Sequence, residues 1–452
     1  MQFELTKEFL DQLRDLIKED NKAEVTKLLE ELHPADIAEI IEELDKDDAI
    51  YAFLQVEHDL AADALAELDD EERDILIKAL PFKTIATQFI MNMDSDDATD
   101  IIGRFSEEEQ QEILSYVHDI EQASDIVDLL NYDDDTAGGL MGKEFVMVNE
   151  NWTVLTCLRE LSRQAEDIDE IYYVYVVDDD SKLKGTLSLK RMILSPTSAK
   201  IINIYNQDVV SVTVDEKSEE VALIMEKYDL VAMPVTDSIG RVVGRITIDD
   251  VVDVIRDEAE KDYQLASGIT QDVDISDSIA VQTRARLPWL IIGLMGGLLD
   301  AFIISNHEAD IQVSPMMAFF IPLITAMGGN VGIQSSAIVV QGLANNSLGY
   351  ESTFRKVLRE LGRSVIISTI CSIVLLAFSL WFFSMALVLS AIIALFFVII
   401  FASVFGTLIP LALDKFNIDP ALATGPFITM SNDIIGLFIY LSVGKVIFSM
   451  LG

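Results

Sequence analysis

The stretch Ala326-Met-Gly-Gly-Asn-Val-Gly-Ile-Gln-Ser-Ser336 sets three glycines and four polar side chains into an otherwise apolar run over 315–344. A run of that length crosses a bilayer, which takes about 20 residues as helix. Two readings stand for its unusual content. Glycines let helices pack closely, or they free backbone carbonyls to serve as oxygen ligands along a water-filled path. Packing alone does not call for Asn330 and Gln334, which favours a path.

Working outward, further apolar spans centre on 287–306, 361–384, 386–412 and 424–450, the long 361–412 block being divided at Phe383-Ser-Met-Ala386. Basic residues orient them. With residues 1–283 in the cytoplasm, the first loop (Asn306–Ser314) lies outside and has no Lys or Arg. The second, 345–363, lies inside and carries Arg355, Lys356, Arg359 and Arg363; the third is uncharged and the fourth, inside, holds Lys415. Five spans with the N-terminus inside satisfy every loop.

The net charge of −44 is confined to the other half. From Arg284 onward 8 basic residues balance 8 acidic ones, so all of the excess lies in residues 1–283. Such a surface repels nucleic acid and anionic membrane and attracts cations, or simply keeps the chain soluble. Cys157 and Cys371 fall in different halves, which excludes a disulfide framework, and no Cys/His cluster has zinc spacing. The N-terminus lacks the pattern of a signal peptide.

Residues 1 to about 130 read as short amphipathic helices. The spacing in Asp36-Ile-Ala-Glu-Ile-Ile-Glu-Glu-Leu44 returns at Asp59–Leu68, Thr84–Met93 and Asp97–Phe105, each opening on Asp or Thr as an N-cap. This predicts a stacked-helix array. After Asp133-Asp-Asp-Thr-Ala-Gly-Gly139 the period changes. Val174-Tyr-Val-Val-Asp178 and Leu183-Lys-Gly-Thr-Leu-Ser-Leu189 read as strand, turn and strand. The arrangement repeats 59 residues later as Met233-Pro-Val-Thr-Asp237 and Val242-Val-Gly-Arg-Ile-Thr-Ile248. Each copy follows a helical run, giving two tandem β-α-β-β-α units. The fold class expected is five transmembrane helices forming an α-helical membrane domain, with an all-α superhelical N domain and α/β tandem modules before it. The boundaries are 1–131, 132–255, a connecting helix at 256–283, and 284–452.

Asp433, in the last span, costs about 2.5–3.5 kcal/mol to insert, and no Lys or Arg lies close to it in sequence. It is either an ion ligand or a carboxylate satisfied by a neighbouring helix. Asp300, in the first span, faces the path or the outer interface. Asp419, in Asn417-Ile-Asp-Pro420, suits a cytoplasmic vestibule or a helix cap. Oxygen ligands without thiol or imidazole suit Mg²⁺, Ca²⁺ or Mn²⁺. Paired Asp433 side chains in a twofold dimer would match the charge of a divalent ion.

Taken in order, Gly328-Gly-Asn-Val-Gly-Ile-Gln-Ser335, Asp419-Pro-Ala with Asp433, and Thr136-Ala-Gly-Gly-Leu-Met141 closely resemble the MgtE family of bacterial Mg²⁺ channels and transporters, over the whole chain. The resemblance implies paired CBS (cystathionine-synthase-type) modules and a multi-pass protein of the cell membrane. It implies a homodimer in membrane lipid, with the pore on its axis. Asp433 would bind the ion, with Asn330 and the Gly328 backbone near the path. It further implies that cytosolic Mg²⁺, bound among acidic residues, holds the gate shut. Those residues match Asp96 and Asp100 in the N domain, Glu219 and Asp229 in the second module, and Asp250, Asp253, Glu258 and Asp262 towards and along the connecting helix. Lys217 and Lys261 stand where acidic residues are expected, and Gly425 where an Asn can occur. CBS modules that hold ATP or related nucleotides commonly end in Ser/Thr-x-x-Asp. Thr247-Ile-Asp-Asp250 keeps this pattern, and Ser188-Leu-Lys-Arg191 does not. The alternatives are a proton-coupled divalent-cation transporter, with Asp433 or Asp300 as the proton site, and a sensor with a membrane anchor. With no phosphate loop and no nucleophile–base pair, no enzyme is expected.

Overall fold

The computed structural model describes residues 3–451 except 166, 167, 169, 272, 274–276, 345–348, 350, 351 and 424, and leaves aside the side chains of 70, 71 and 423. Residues 345–348, 350 and 351 of the second loop foreseen at 345–363 therefore lie outside the described residues. The chain divides into two compact units, Met1–Arg256 and Asp257–Gly452.

The first unit opens with ten helices: α1 (Lys7–Lys18), α2 (Lys22–Leu29), α3 (Pro34–Glu42), α4 (Lys46–Phe53), α5 (His58–Ala66), α6 (Asp70–Ile77), α7 (Phe82–Thr84), α8 (Ser95–Gly103), α9 (Glu107–Leu114) and α10 (Ile120–Leu129). All but the three-residue α7 bury an apolar stripe. In α1 it is Leu10, Leu13 and Ile17, at the i, i+3, i+7 spacing of one face. These stripes meet in one core with Leu29, Ile37, Ile40, Leu65 and Phe89.

Helix starts lie ahead of the expected caps. His33, Glu57 and Asp94 are the N-caps of α3, α5 and α8. Asp36, Asp59 and Asp97 sit instead in the first turn, where a negative charge favours the exposed N–H groups. Pro34 explains the first case, since it fits N1 and sets the start there. Thr84–Met93 departs further. A π-turn at Ile85–Phe89 runs into a 3₁₀ turn at Ile90–Asn92. The carbonyls this frees are taken by side-chain amides: Gln122 donates to Ile90 O (2.7 Å) and Asn92 to Gln88 O (3.0 Å).

The tandem repeat forms two equivalent three-stranded sheets. The first holds β1 (Val146–Asn149), parallel to β2 (Val174–Val177), itself antiparallel to β3 (Leu183–Leu187). The second repeats this with β4 (Val212–Thr213), β5 (Ala232–Thr236) and β6 (Val242–Thr247). Their helices are α11 (Val154–Gln164), α12 (Leu189–Ile193), α13 (Ser218–Tyr228) and α14 (Ile248–Ala266). The 59-residue period reaches the hairpin turns. Asp178 accepts from the N–H groups of Asp180 and Lys182, and Asp237 from those of Ile239 and Arg241.

Among the described residues the second unit carries five helices long and apolar enough to cross a membrane, in the five places expected: α15 (Ile279–Asn306), α17 (Ile321–Ala344) with the 3₁₀ turn before it, α18 (Thr353–Ser379), α19 (Met385–Lys415) and α20 (Pro426–Leu451). The short α16 (Glu308–Val313) follows α15. The break foreseen at 383–386 is real, with Ser384 the N-cap of α19. α18 begins eight residues before the expected 361, because its polar first turns lower the hydropathy without breaking the helix. α19 packs against α17, α18 and α20, while α15 packs against α20.

Candidate metal and ion-path sites

On α17 the two readings of the glycine stretch belong to two faces. Gly328, Gly329 and Gly332 are buried and face α19 and α20. A Cβ at Gly332 would stand 2.0 Å from Asn432 Nδ2, and one at Gly329 3.6 Å from Asp433 Oδ1. The glycines are a packing seat for α20, and Gly328 belongs to it, against Val398 and Asn432. Asn330 and Gln334 project from an exposed face of the same helix. Asp433 is partly buried, and Asp300 on α15 is close enough to interact with it electrostatically. Asp300 Oδ1 is buried without a hydrogen-bond partner.

Asp419 accepts from the Ala421 N–H at 2.8 Å, the capping role its position allowed. It also faces the connecting helix. Asp262 of α14 has its carboxyl pushed up by burial and then by the charges of Asp419 and Glu258, with Lys261 opposing. Lys261 pairs with Glu258 at 2.8 Å, so the expected position of an acid here carries a built-in counter-charge. The end of α14 is seated on the start of α20. Gly268 has φ +83°, and a Cβ on it would meet Pro426 Cγ at 2.7 Å; one on Gly425 would meet Ala266 O at 2.3 Å. An Asn at 425 would collide with that carbonyl.

In the first unit the carboxylates gather where α8 meets the second module. Oxygens of Asp94, Asp96 and Glu144 lie within 4.8 Å of one another, a grouping that could hold a metal ion. The Asp96 and Glu144 carboxylates converge over Gly142, where a Cβ would lie 2.8 and 2.7 Å from them. Glu144 also accepts from Ser95 N (2.9 Å) and Ser95 Oγ (3.1 Å), tying α8 to the loop before β1. Arg245 reaches Asp94 at 3.5 Å. Burial, then Asp250, Asp97, Glu144 and Asp94, push the Asp96 carboxyl well up. Burial, Asp250, Asp100 and Asp94 push Asp97 to about 8. Asp250 is pushed to about 7 by burial, against the hydrogen bond from Thr247. Thr247 N and Oγ both donate to Asp250 (3.1 and 2.7 Å), closing the start of α14 as a capping box does.

The other expected residues lie elsewhere. Glu219 and Asp229 are exposed near opposite ends of α13, about 15 Å apart along its axis. Asp229 is its left-handed C-cap. Asp253 is exposed on α14. Lys217 pairs with Asp135 at 3.0 Å. Asp94, Asp97 and Glu144 are additions; the acidic run Asp94-Ser-Asp-Asp97 was a signal, whereas Glu144 joins it only through the fold.

These shifts predict a pH dependence for metal-free protein. The docked cluster raises carboxyl pKa values above their ordinary ones, so it favours protonated acids. The docking of α8 is then strongest below about pH 4 and is lost as pH rises through the values near 7 and 8. Amide exchange in α8 under chelator, corrected for intrinsic rates, should be slower at pH 6 than at pH 8.5. Equal protection at both would contradict it.

Comparison with known proteins matches this arrangement. The family model described as a divalent cation transporter fits residues 321–443, the MgtE intracellular N domain fits 32–135, and CBS domains fit 137–195 and 201–257. The fold is thus that of a multi-pass membrane protein with a cytoplasmic N-terminal part. The magnesium transporter MgtE of Bacillus subtilis (strain 168) is 33% identical over 85% of both chains. That of Enterococcus faecalis is 36% identical over 72% of both. The crystal structure of the cytosolic domain of the Mg²⁺ channel MgtE in complex with ATP is 34% identical. It covers 54% of this chain and 99% of that one, with a TM-score of 0.50. The chain belongs to the MgtE family.

Proposed function

We propose that the chain carries Mg²⁺ through its membrane unit and that cytosolic Mg²⁺ shuts it off. The relatives are magnesium transporters, and the observation that supports transport here is Asp433, a partly buried carboxylate in the last span. Two copies would bring two such charges to one axis, matching a divalent ion. Asn330 supplies a further oxygen, and Mg²⁺, which dehydrates reluctantly, would keep much of its water.

Shut-off is supported by the crowded carboxylates. Asp94, Asp96 and Glu144, with Asp97, Asp100 and Asp250 around them, would hold Mg²⁺ in the first unit; Asp262, Glu258 and Asp419 would do so in the second. Bound Mg²⁺ supplies the positive charge that lets these acids stay close while ionised. Without it they repel one another, and α8 loosens from the second module. Lys261, already paired with Glu258, weakens the second cluster. Glu219, Asp229 and Asp253 add to the field as exposed charges. ATP, bound in the similar cytosolic domain, is assigned here to the second module. Thr247 and Asp250 offer it a hydroxyl and a carboxylate, whereas Arg191 stands in the place of that carboxylate in the first.

The test is flux into vesicles holding the purified full chain. Mg²⁺ uptake should exceed that of Ca²⁺ and Mn²⁺, and should fall at least about tenfold as Mg²⁺ on the cytoplasmic-domain side is raised. Uptake that follows an imposed pH gradient would favour the proton-coupled reading. Flux indifferent to Mg²⁺ on that side would remove the shut-off.

A further inference from the structure

Glu360 is a carboxylate inside α18 with 8% of its surface exposed. An uncompensated charge there would cost several kcal/mol, so its partners matter. One oxygen, Oε1, accepts from Ser335 Oγ of α17 at 3.0 Å and from Ser403 Oγ of α19 at 2.5 Å. The two hydroxyls are 3.0 Å apart. The other, Oε2, pairs with Arg363 one turn along α18, at 3.3 Å. One carboxylate therefore joins three membrane helices at a point.

That point lies beside a close backbone approach between α17 and α19. Ser335 is three residues past Gly332, and Ser403 three before Gly406. A Cβ at Gly406 would stand 2.4 Å from Gly332 O. Gly332 is also where Asn432, the neighbour of Asp433, packs. Glycine and serine surfaces pack closely but fix rotation poorly, because dispersion has little direction. Hydrogen bonds to a buried carboxylate do have direction, and they are lost if α17 turns. A 20° turn carries a side-chain tip, at about 5–6 Å from the helix axis, through about 2 Å. That is larger than the tolerance of a functional site, about 0.5 Å.

We propose that Glu360 is a positioning residue of the ion path: through Ser335 and Ser403 it sets the rotation of α17 and α19, and so the placement of Asn330 and of the seat for Asp433. The proposal rests on the reading of α17 and α20 as the Mg²⁺ path.

The experiment is vesicle flux with the full chain, comparing wild type, Glu360→Gln, the Ser335→Ala/Ser403→Ala pair and the triple variant, with thermal unfolding measured on each. Asp433→Asn serves as control. Glu360→Gln and the serine pair should each lower Mg²⁺ flux and its preference over Mn²⁺ by about tenfold. The triple variant should do no further harm, as members of one network are non-additive. If the surviving folded variants keep wild-type selectivity and half-saturation, Glu360 only holds the fold together and the proposal fails. It fails also if Glu360→Gln abolishes flux while the serine pair is normal, because Glu360 then contacts the ion itself. If wild type carries no Mg²⁺, or Asp433→Asn carries it normally, the path reading has failed instead.

Discussion

Asp433→Asn should reduce Mg²⁺ flux by at least about a hundredfold, about 2.7 kcal/mol in the transport barrier, while leaving the protein as stable as before or more so. Asn has nearly the shape of Asp, so the seat on Gly329, with Thr429 and Asp433 beside it, is kept and only the charge is removed. A carboxylate within the membrane is a cost to folding, and Asp300 nearby adds like-charge repulsion. A purely structural Asp would have been the wrong residue to place there. Loss of flux together with an unchanged or raised unfolding temperature would therefore assign the charge to the ion. Flux within about twofold of wild type would sink the assignment, and loss of only its pH dependence would point to proton coupling.

The membrane unit was legible because hydrocarbon imposes one rule on every residue it touches. Five spans and their breaks follow from apolar length. The limits were not. Thr353–Arg359 looks like loop because it is polar, yet it continues α18 as helix. For that reason Glu360 fell outside the expected span, and its partners Ser335 and Ser403 are 25 and 43 residues away. No window of sequence holds them together. The repeat was legible down to Asp178 and Asp237, because a turn that accepts its own backbone N–H groups is a local device.

The acidic sites divide in the same way. Asp96 and Asp250 were named through the family resemblance, but Glu144 reaches Asp96 only when the loop before β1 lies against α8. Glu219 and Asp229, read with them, are held apart by the length of α13. Sequence resemblance carries identity at a position, whereas convergence depends on which surfaces meet. The lysines were also only half legible. Their sign was plain, but that Lys261 takes up Glu258 and Lys217 takes up Asp135 is a matter of reach.

Asp96→Asn combined with Asp250→Asn should raise the cytosolic Mg²⁺ needed for shut-off at least about tenfold, with maximal flux unchanged. Two effects compete. Neutralising two acids relieves repulsion, which favours the docked state without metal; it also removes charged ligands, which weakens Mg²⁺ binding. Asp94, Asp97, Asp100 and Glu144 remain, so much of the repulsion persists, and Asp94 and Glu144 alone form a poorer site. Each lost charge-assisted ligand is worth about 1.5–3 kcal/mol, and tenfold requires only about 1.4. Ligand loss therefore decides the sign. The measurement is Mg²⁺ flux against Mg²⁺ on the cytoplasmic-domain side, with amide exchange in α8 on the same protein. A pore shut at every Mg²⁺ level, with α8 protected under chelator, would mean that repulsion dominates and the acids act as a spring rather than as ligands. Unchanged shut-off would exclude this cluster from the control of flux.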